Sequence, residues 1–152
     1  MRTILGIDPG NNGGMAILDG YSAKVYKMPQ TFTEVYNKLK ELKNIYPDVH
    51  CCLEDVGQGM PGQSSKATAT FARHNGHLEM ALYALEIPSE KVKPSKWEKF
   101  YSNTIGTSKG KSKTEWKNIL KSEAQRRYPN INVTLWAADA LLIADYFKHQ
   151  TL

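Results

Sequence analysis

The sequence predicts an α/β fold with a five-stranded mixed sheet and helices on both faces of that sheet. Three short apolar runs come first, and the turn signals NNGG and Asp19-Gly20 separate them. Segments with apolar residues three and four positions apart follow, a pattern typical of amphipathic helices. The resulting order βββαβαβαα predicts a three-stranded antiparallel meander beside parallel strands.

The meander lies within the first 28 residues. TILGID ends at a Pro-Gly turn, and AKVYKM follows an Asp-Gly dipeptide, which favours a tight hairpin. The three strands are predicted at Thr3–Asp8, Met15–Leu18 and Ala23–Met28.

A helix after the meander determines how the next strand enters the sheet. Its apolar stripe consists of Phe32, Val35, Tyr36, Leu39 and Leu42. A right-handed crossover from this helix places His50–Val56 (HCCLEDV) parallel to the first strand and beside it. The remaining elements are predicted as a helix at Ser65–Leu85, a strand at Lys91–Lys93, and helices at Thr114–Arg127 and Ala137–Phe147.

The length and composition indicate a single globular domain spanning residues 1–152. Hydrophobic residues make up 41% of the chain and charged residues 23%, which is ordinary for a folded domain. No run reaches the roughly 18 to 20 apolar residues that a membrane helix needs, and the first apolar run lacks the features of a signal peptide. Cys51 and Cys52 are adjacent in an apolar run and are predicted to be reduced core thiols. We therefore expect a cytoplasmic protein without a membrane partner.

Positive charge is concentrated in one quarter of the sequence. The net charge is +5, and residues 90–127, here called the basic segment, contain eleven Lys or Arg residues against four Glu residues. This asymmetry indicates a polyanionic partner such as nucleic acid, although a solvated lysine-rich surface has the same appearance.

Three carboxylates are placed to converge at one end of the sheet. Asp8 and Glu54 each end an apolar strand, and parallel pairing of those strands brings them side by side. Asp139 lies in the apolar last helix, where an inward carboxylate is costly unless it is paired or binds a cation. Asp55 also adjoins Glu54, but strand alternation directs it to the opposite face of the sheet.

Clustered carboxylate oxygens suit Mg²⁺, which binds one or two carboxylates together with water and phosphate oxygens. The chemistry that this predicts is phosphodiester hydrolysis, in which metal ions activate water and stabilise the leaving oxygen. We expect Mn²⁺ to act as a substitute. Any one of these acidic residues could instead be an ordinary solvated surface group.

Three segments carry a family resemblance: GIDPG in the first strand, LEDVG in the fourth and ADALLIADY in the last helix. Their order and spacing resemble those of RuvC-type Holliday junction resolvases, which have an RNase H-like fold. The glycine-rich segment GQGMPGQSS and the later VKP are similar to the phage branch of that family. The resemblance implies a magnesium-dependent endodeoxyribonuclease that acts as a homodimer on branched DNA, chiefly four-way junctions, without a nucleotide cofactor.

The same resemblance implies roles for individual residues. Asp8, Glu54 and Asp139 match three metal-binding carboxylates of the family. Basic residues near the junction phosphates are implied at Lys96 and in the SKGKSK segment, where Lys111 is also a catalytic candidate and Lys109 and Lys113 are alternatives. The loop at residues 57–65 would face the open centre of the junction with Met60 and Gln63, although a surface loop without a DNA role fits equally well.

One position departs from the family pattern. The family has a further Asp about one helical turn before the position of Asp139, and Trp136 stands there in this chain. An indole cannot bind Mg²⁺, and Asp145 lies on another side of the helix. An alternative function is therefore a junction-binding protein with weak or lost cleavage.

A second alternative starts from the GID motif and the glycines that follow it. Sugar kinases and actin-like ATPases open in the same way, with a phosphate-binding turn. Those proteins need two such domains around the nucleotide, whereas this chain has room for one.

Overall fold

The computed structural model describes residues 2–57 and 62–150. Its sheet has five strands in the order β3-β2-β1-β4-β5. The strands are β1 (Ile4–Asp8), β2 (Gly14–Asp19), β3 (Ser22–Lys27), β4 (His50–Glu54) and β5 (Ser89–Val92). β1, β2 and β3 form the antiparallel meander, whereas β4 pairs in parallel with both β1 and β5. The predicted mixed sheet and the parallel position of the fourth strand are confirmed.

Six helices complete this part of the chain: α1 (Phe32–Ile45), α2 (Ser65–Ala84), α3 (Pro94–Phe100), α4 (Ser102–Ile105), α5 (Lys113–Arg127) and α6 (Leu135–Gln150). The side chains of Thr31, Ser64 and Ser112 cap α1, α2 and α5 by accepting hydrogen bonds from backbone N–H groups of the first turns. The sequence analysis missed α3 and α4, which lie in the lysine-rich segment, and it placed the start of α6 two residues too late.

The sheet separates two apolar cores. On one face, Leu5 and Ile7 pack with residues of α1 and α2. On the other face, Ile4 and Cys52 pack with α3, α5 and α6. Because side chains alternate along a strand, Gly6 and Asp8 of β1 and Glu54 of β4 belong to the α6 face. Helices cover both faces of the sheet, as predicted. Asp8 and Glu54, at the ends of their strands, lie on the face that is covered by α6.

Gly6 allows α6 to approach β1 closely. A Cβ atom at this position would lie 2.7 Å from the backbone nitrogen of Ala144 and 2.8 Å from its Cβ, and it would also collide with the carbonyl oxygen of Ala140. Backbone atoms of a packed helix cannot move aside at low cost. The absence of a side chain at Gly6 thus sets the distance between the sheet and the helix that carries Asp139.

No helix in the described ranges is both long enough and apolar enough to cross a bilayer.

We predict that Gly6→Ala lowers the free energy of unfolding by about 3 kcal/mol because the added methyl group overpacks the β1–α6 contact. Gly76→Ala is the matched control: Gly76 lies within α2, and nothing lies within 4 Å of a Cβ atom built there. This control should raise stability by up to about 1 kcal/mol, since alanine favours helix. Urea denaturation of both variants measures the difference, and a stable Gly6→Ala protein would contradict the proposed close approach.

Candidate active site

The ends of two parallel strands place Asp8 and Glu54 together. Ile7 of β1 pairs with Leu53 of β4, so the next residue of each strand lies at the same end of the sheet. The two carboxyl groups share a hydrogen bond, and each influences the pKa of the other. Asp55, the neighbour of Glu54, instead accepts a hydrogen bond from the backbone N–H of Gly57 at 3.1 Å.

Asp139 approaches this pair from α6. Its neighbours Ala138 and Ala140 are buried in the core, which fixes this part of the helix against the sheet. The side chain of Asp139 is 15% exposed, and the ammonium nitrogen of Lys117 lies 3.8 Å from its Oδ2 atom. Asp139 acts electrostatically on both Asp8 and Glu54. The structure therefore brings the three predicted carboxylates together.

Crowding of acidic groups changes their protonation. Burial, followed by the charges of Asp139 and Glu54, raises the pKa of Asp8 well above its ordinary value. Burial also raises the pKa of Glu54, to about 7, and that of Asp139. Lys117 has the opposite effect on Asp139, whose pKa it lowers. Without a bound cation, protein surroundings and mutual repulsion both disfavour the charged forms of these groups.

Trp97 holds one oxygen of Glu54. Its indole N–H donates a hydrogen bond of 2.7 Å to Oε2 of Glu54, and the Trp97 side chain is completely buried. The ring is carried by α3, which begins at Pro94 directly after β5. The bond lowers the pKa of Glu54 against the effect of burial. The contact therefore fixes one oxygen of the Glu54 carboxylate.

A fourth acidic residue, Glu98, lies near the cluster. It is half-buried, and burial together with the charge of Asp139 raises the pKa of its carboxyl. Its own charge raises the pKa of Glu54. The indole of Trp116 lowers the pKa of Glu98, although the buried Nε1 of Trp116 forms no hydrogen bond of good geometry. Sequence analysis missed Trp97 and Glu98 because α3 was not recognised; the Trp directly after VKPSK was the available signal.

Trp136 occupies the first turn of α6. It is half-buried, and a Cβ atom at Gly14 would lie only 2.9 Å from its ring atom Cε3. Gly14 pairs with Asp8 across β1 and β2. The helix thus includes Trp136, and its indole lies beside the strand that flanks Asp8.

Asp145 has a separate structural role. It accepts hydrogen bonds from the hydroxyl groups of Tyr101 at 2.9 Å and Tyr128 at 2.7 Å, and Arg127 forms an ion pair with it at 3.2 Å. This buried network links α3, α5 and α6. The prediction that Asp145 does not replace the missing carboxylate agrees with these contacts.

Comparison with known proteins adds to this geometry. No family model matches the chain, and no curated protein matches it in sequence. A structure of Thermus thermophilus RuvC covers 99% of this chain and 97% of its own, with a TM-score of 0.62. T. thermophilus RuvC in complex with a Holliday junction substrate covers 99% and 96%, with a TM-score of 0.65. The fold is that of RuvC. Sequence identity is 14% in both comparisons, so they show the fold alone.

The RuvC-type fold confirms the predicted RNase H-like class. The sheet order, with the meander on one side of β1 and the parallel strands on the other, is the architecture that the sequence motifs indicated. The similar structures do not bear on the phage branch, which stays a prediction.

The predicted DNA-contacting residues lie in different places. Lys96 is on α3, Lys113 begins α5, and Lys109 and Lys111 lie in the turn between α4 and α5. The ammonium of Lys111 donates a 2.7 Å hydrogen bond to the Thr107 carbonyl and lies 5.9 Å from the centre of the Trp116 ring. Among the lysines in the described ranges, the one that forms an ion pair with Asp8, Glu54 or Asp139 is Lys117.

The loop residues are only partly described. Met60 lies outside the described residues. Gln63 lines a cleft of about 360 Å³ between the β1–β2 turn and the start of α2, together with Asn11, Lys66 and Phe71. The cleft is lined by the β1–β2 turn and by α2 and contains none of the three carboxylates.

The donor chemistry of the cluster fits a hard divalent cation. Asp8, Glu54 and Asp139 offer carboxylate oxygens, crowd one another, and have raised pKa values that a cation would lower. Within residues 2–57 and 62–150, no three His, Cys, Asp or Glu side chains adopt an arrangement that would itself hold a metal ion.

We predict that metal-free protein becomes less stable as the pH rises through the raised pKa of Glu54. A group with a pKa of about 7 in the folded state and 4.5 ordinarily stabilises the fold below pH 4.5, and that stabilisation is lost as the pH passes 7. Glu54→Gln should retain an acceptor for Trp97 and be more stable than the parent at pH 8, on the order of 1–3 kcal/mol. At pH 5 the gain should be smaller.

Unfolding free energies measured in EDTA at pH 5 and pH 8 check this expectation. The control is Glu41→Gln, an exposed carboxylate on α1 paired with Lys38. Its effect should be small and similar at both values of pH. If the stability of Glu54→Gln depended on pH in the same way as that of the parent, the raised pKa of Glu54 would not be the cause of the pH dependence.

Proposed function

We propose that this protein is a metal-dependent, structure-specific endodeoxyribonuclease that resolves Holliday junctions by paired phosphodiester hydrolysis. The observation that carries the proposal is the convergence of Asp8, Glu54 and Asp139 on one face of a RuvC-type sheet. The support for branched DNA as the substrate comes from a similar structure, that of T. thermophilus RuvC with a Holliday junction substrate.

Asp8, Glu54 and Asp139 would hold Mg²⁺, or Mn²⁺ in its place. When bound, the ion supplies a polarised water and a positive charge beside the phosphate. The chain itself provides the arrangement of the ligands. Trp97 fixes Oε2 of Glu54, while α6 places Asp139 close enough to act electrostatically on Asp8 and Glu54. The buried surroundings strengthen the attraction of these groups for a cation.

The basic segment is the proposed DNA surface. Lys96, Lys109, Lys111 and Lys113 would contact phosphates, with Lys111 also retained as a catalytic candidate near the scissile phosphate. These residues and Trp97 belong to α3, α5 and the chain between them, so the same stretch supports the site and binds the substrate. Gln63, in the cleft between the β1–β2 turn and α2, would contact the DNA, and Met60 is the proposed apolar residue at the junction centre.

We also propose a homodimer, since a four-way junction has two equivalent strands to cut. The support is the exposure of α2. Of its 20 residues, only Leu78, Ala81 and Leu82 are buried, whereas Met80 is 65% exposed and Tyr83 is 80% exposed. A helix with this much uncovered apolar surface is suited to packing against a second copy. Location in the cytoplasm of a bacterial or phage-infected cell remains part of the proposal.

The alternative is a protein that binds junctions without efficient cleavage. One observation favours it, the indole of Trp136 beside Gly14, where the family pattern has a further carboxylate. Three carboxylates remain together, and we therefore place cleavage first.

We predict that Asp8→Asn, Glu54→Gln and Asp139→Asn each lower cleavage of a labelled four-way junction at least 100-fold, because each removes a charged oxygen ligand. Junction affinity, measured in Ca²⁺ by fluorescence anisotropy, should stay within about threefold of the parent. Asp55→Asn is the matched control, since Asp55 adjoins Glu54 in sequence but bonds to Gly57 instead. A parent protein that binds the junction but leaves it intact in Mg²⁺ and in Mn²⁺ would support the binding-only alternative.

We predict that Lys96→Ala combined with Lys111→Ala weakens junction binding and reduces its salt dependence. Loss of two phosphate contacts should decrease the slope of log K against log salt by about 1.8. The control pair is Lys24→Ala with Lys40→Ala, exposed lysines on β3 and α1. Titrations at several salt concentrations measure both slopes, and equal slopes in the two double variants would place the DNA surface elsewhere.

A further inference from the structure

Trp97 and Glu54 form a buried donor–acceptor pair beside the other carboxylates. The indole N–H of Trp97 donates to Oε2 of Glu54 at 2.7 Å, and the indole is completely buried. Glu54 itself is only 7% exposed. An indole N–H donates hydrogen bonds and accepts none, so Trp97 cannot bind a cation itself. Its effect on a cation must therefore pass through Glu54.

The fold fixes the position of this indole. Glu54 of β4 pairs with Val92 of β5, and α3 begins two residues later. The Trp97 ring packs edge-on against that of Tyr101, with ring centroids 6.4 Å apart. The Tyr101 hydroxyl in turn lies 2.7 Å from the carbonyl oxygen of Leu142 in α6. The donor to Glu54 is thus attached, through α3, to the helix that carries the third carboxylate.

The contact with Trp97 is compatible with a bound cation, whereas the contact between Glu54 and Asp8 is not. Two carboxyl groups share a hydrogen bond only when one of them is protonated, and cation binding releases that proton. The indole instead donates to the charged carboxylate, which is also the form that binds a cation. Oε2 of Glu54 would therefore stay held by Trp97 after a cation has bound.

Mg²⁺ and Ca²⁺ make different demands on a carboxylate ligand. Mg²⁺ requires near-ideal octahedral geometry with oxygens at about 2.0–2.1 Å, and it usually keeps several waters. Ca²⁺ takes about six to eight oxygens at about 2.3–2.6 Å, in some sites with both oxygens of one carboxylate, so its ligands must be able to turn. A carboxylate that is held at one oxygen meets the first demand more easily than the second.

We propose that Trp97 is a positioning residue that makes the carboxylate cluster selective for Mg²⁺ over Ca²⁺ by restricting rotation of the Glu54 carboxylate. The inference rests on the proposed function, because it concerns the cation that this function requires. It gives a residue outside the three carboxylates a role in the choice of that cation. In this role the indole acts through Glu54 and does not contact the DNA.

Two replacements test the indole N–H. Trp97→Phe keeps an aromatic ring, and benzothienylalanine at position 97 keeps the shape of the indole but has sulfur in place of the N–H group. Tyr101→Phe is the matched control, because it also removes a buried aromatic donor to a carboxylate, here that of Asp145 at 2.9 Å, outside the cluster. Calorimetric titrations of each DNA-free protein with MgCl₂ and with CaCl₂ give the two dissociation constants. Thermal melting verifies that each variant is folded.

The ratio of the Ca²⁺ dissociation constant to the Mg²⁺ dissociation constant should fall at least about fivefold in both position-97 variants, because Glu54 can then turn to meet Ca²⁺. This ratio cancels changes that affect both cations alike, such as a loosening of the core. In Tyr101→Phe the ratio should stay within about twofold of the parent. The control should nevertheless melt at a lower temperature, since it loses a buried hydrogen bond.

Several outcomes would overturn the inference. An unchanged ratio in a folded benzothienylalanine variant would show that the N–H group does not select the cation. An equal fall of the ratio in Tyr101→Phe would assign the effect to the rigidity of the core around α3, and a parent that binds no Mg²⁺ would lack the cation site itself. Junction cleavage by the parent in Mg²⁺ is measured in parallel, so failure of this inference and failure of the nuclease function are recognised separately.

Discussion

Gly6 brings the backbone of β1 directly against α6, and the arrangement of the candidate site depends on that contact. A side chain at this position would meet Ala140 and Ala144, so the helix would have to lie farther from the sheet. Asp139 is one residue before Ala140, and Asp8 is two residues after Gly6. A small displacement of α6 would therefore separate the carboxylates that the fold brings together. Packing density in the core thus determines the geometry of the polar site above it.

Burial of the carboxylate cluster destabilises the folded protein, and three contacts offset part of that destabilisation. The indole of Trp97 donates to Glu54, the ammonium of Lys117 faces Asp139, and Asp8 shares a hydrogen bond with Glu54. None of them removes the destabilisation, since burial, together with the neighbouring negative charges at Asp8 and Glu54, keeps the pKa values of all three carboxyl groups raised. Buried acidic groups with raised pKa values are typical of functional sites, where binding of a ligand is maintained at the expense of stability.

The sheet and the proximity of the three carboxylates could be predicted from the sequence, because both depend on patterns within short segments. Strand alternation, the Asp-Gly hairpin and one crossover determine where Asp8 and Glu54 lie, and each leaves a clear pattern. Trp97 and Lys117 leave none, because their roles depend on the packing of α3 and α5 against α6. The basic composition of residues 90–127 gave no sign of either residue. In α3 a single residue, Trp97, is buried among lysines, so the sequence shows no apolar periodicity there. Lys117 was one cation among many until its distance from Asp139 was known.

The separation of the candidate ligands along the chain has a consequence for the cell that makes this protein. Asp8 lies in the first strand and Asp139 in the last helix, so 130 intervening residues must be synthesised before the two can meet. An emerging chain that ends before α6 lacks one carboxylate and also the helix that closes one core of the sheet. Such a chain carries the basic segment but not the full ligand set. On the function proposed here, the complete ligand set therefore forms only after α6 has been synthesised and has packed against the sheet.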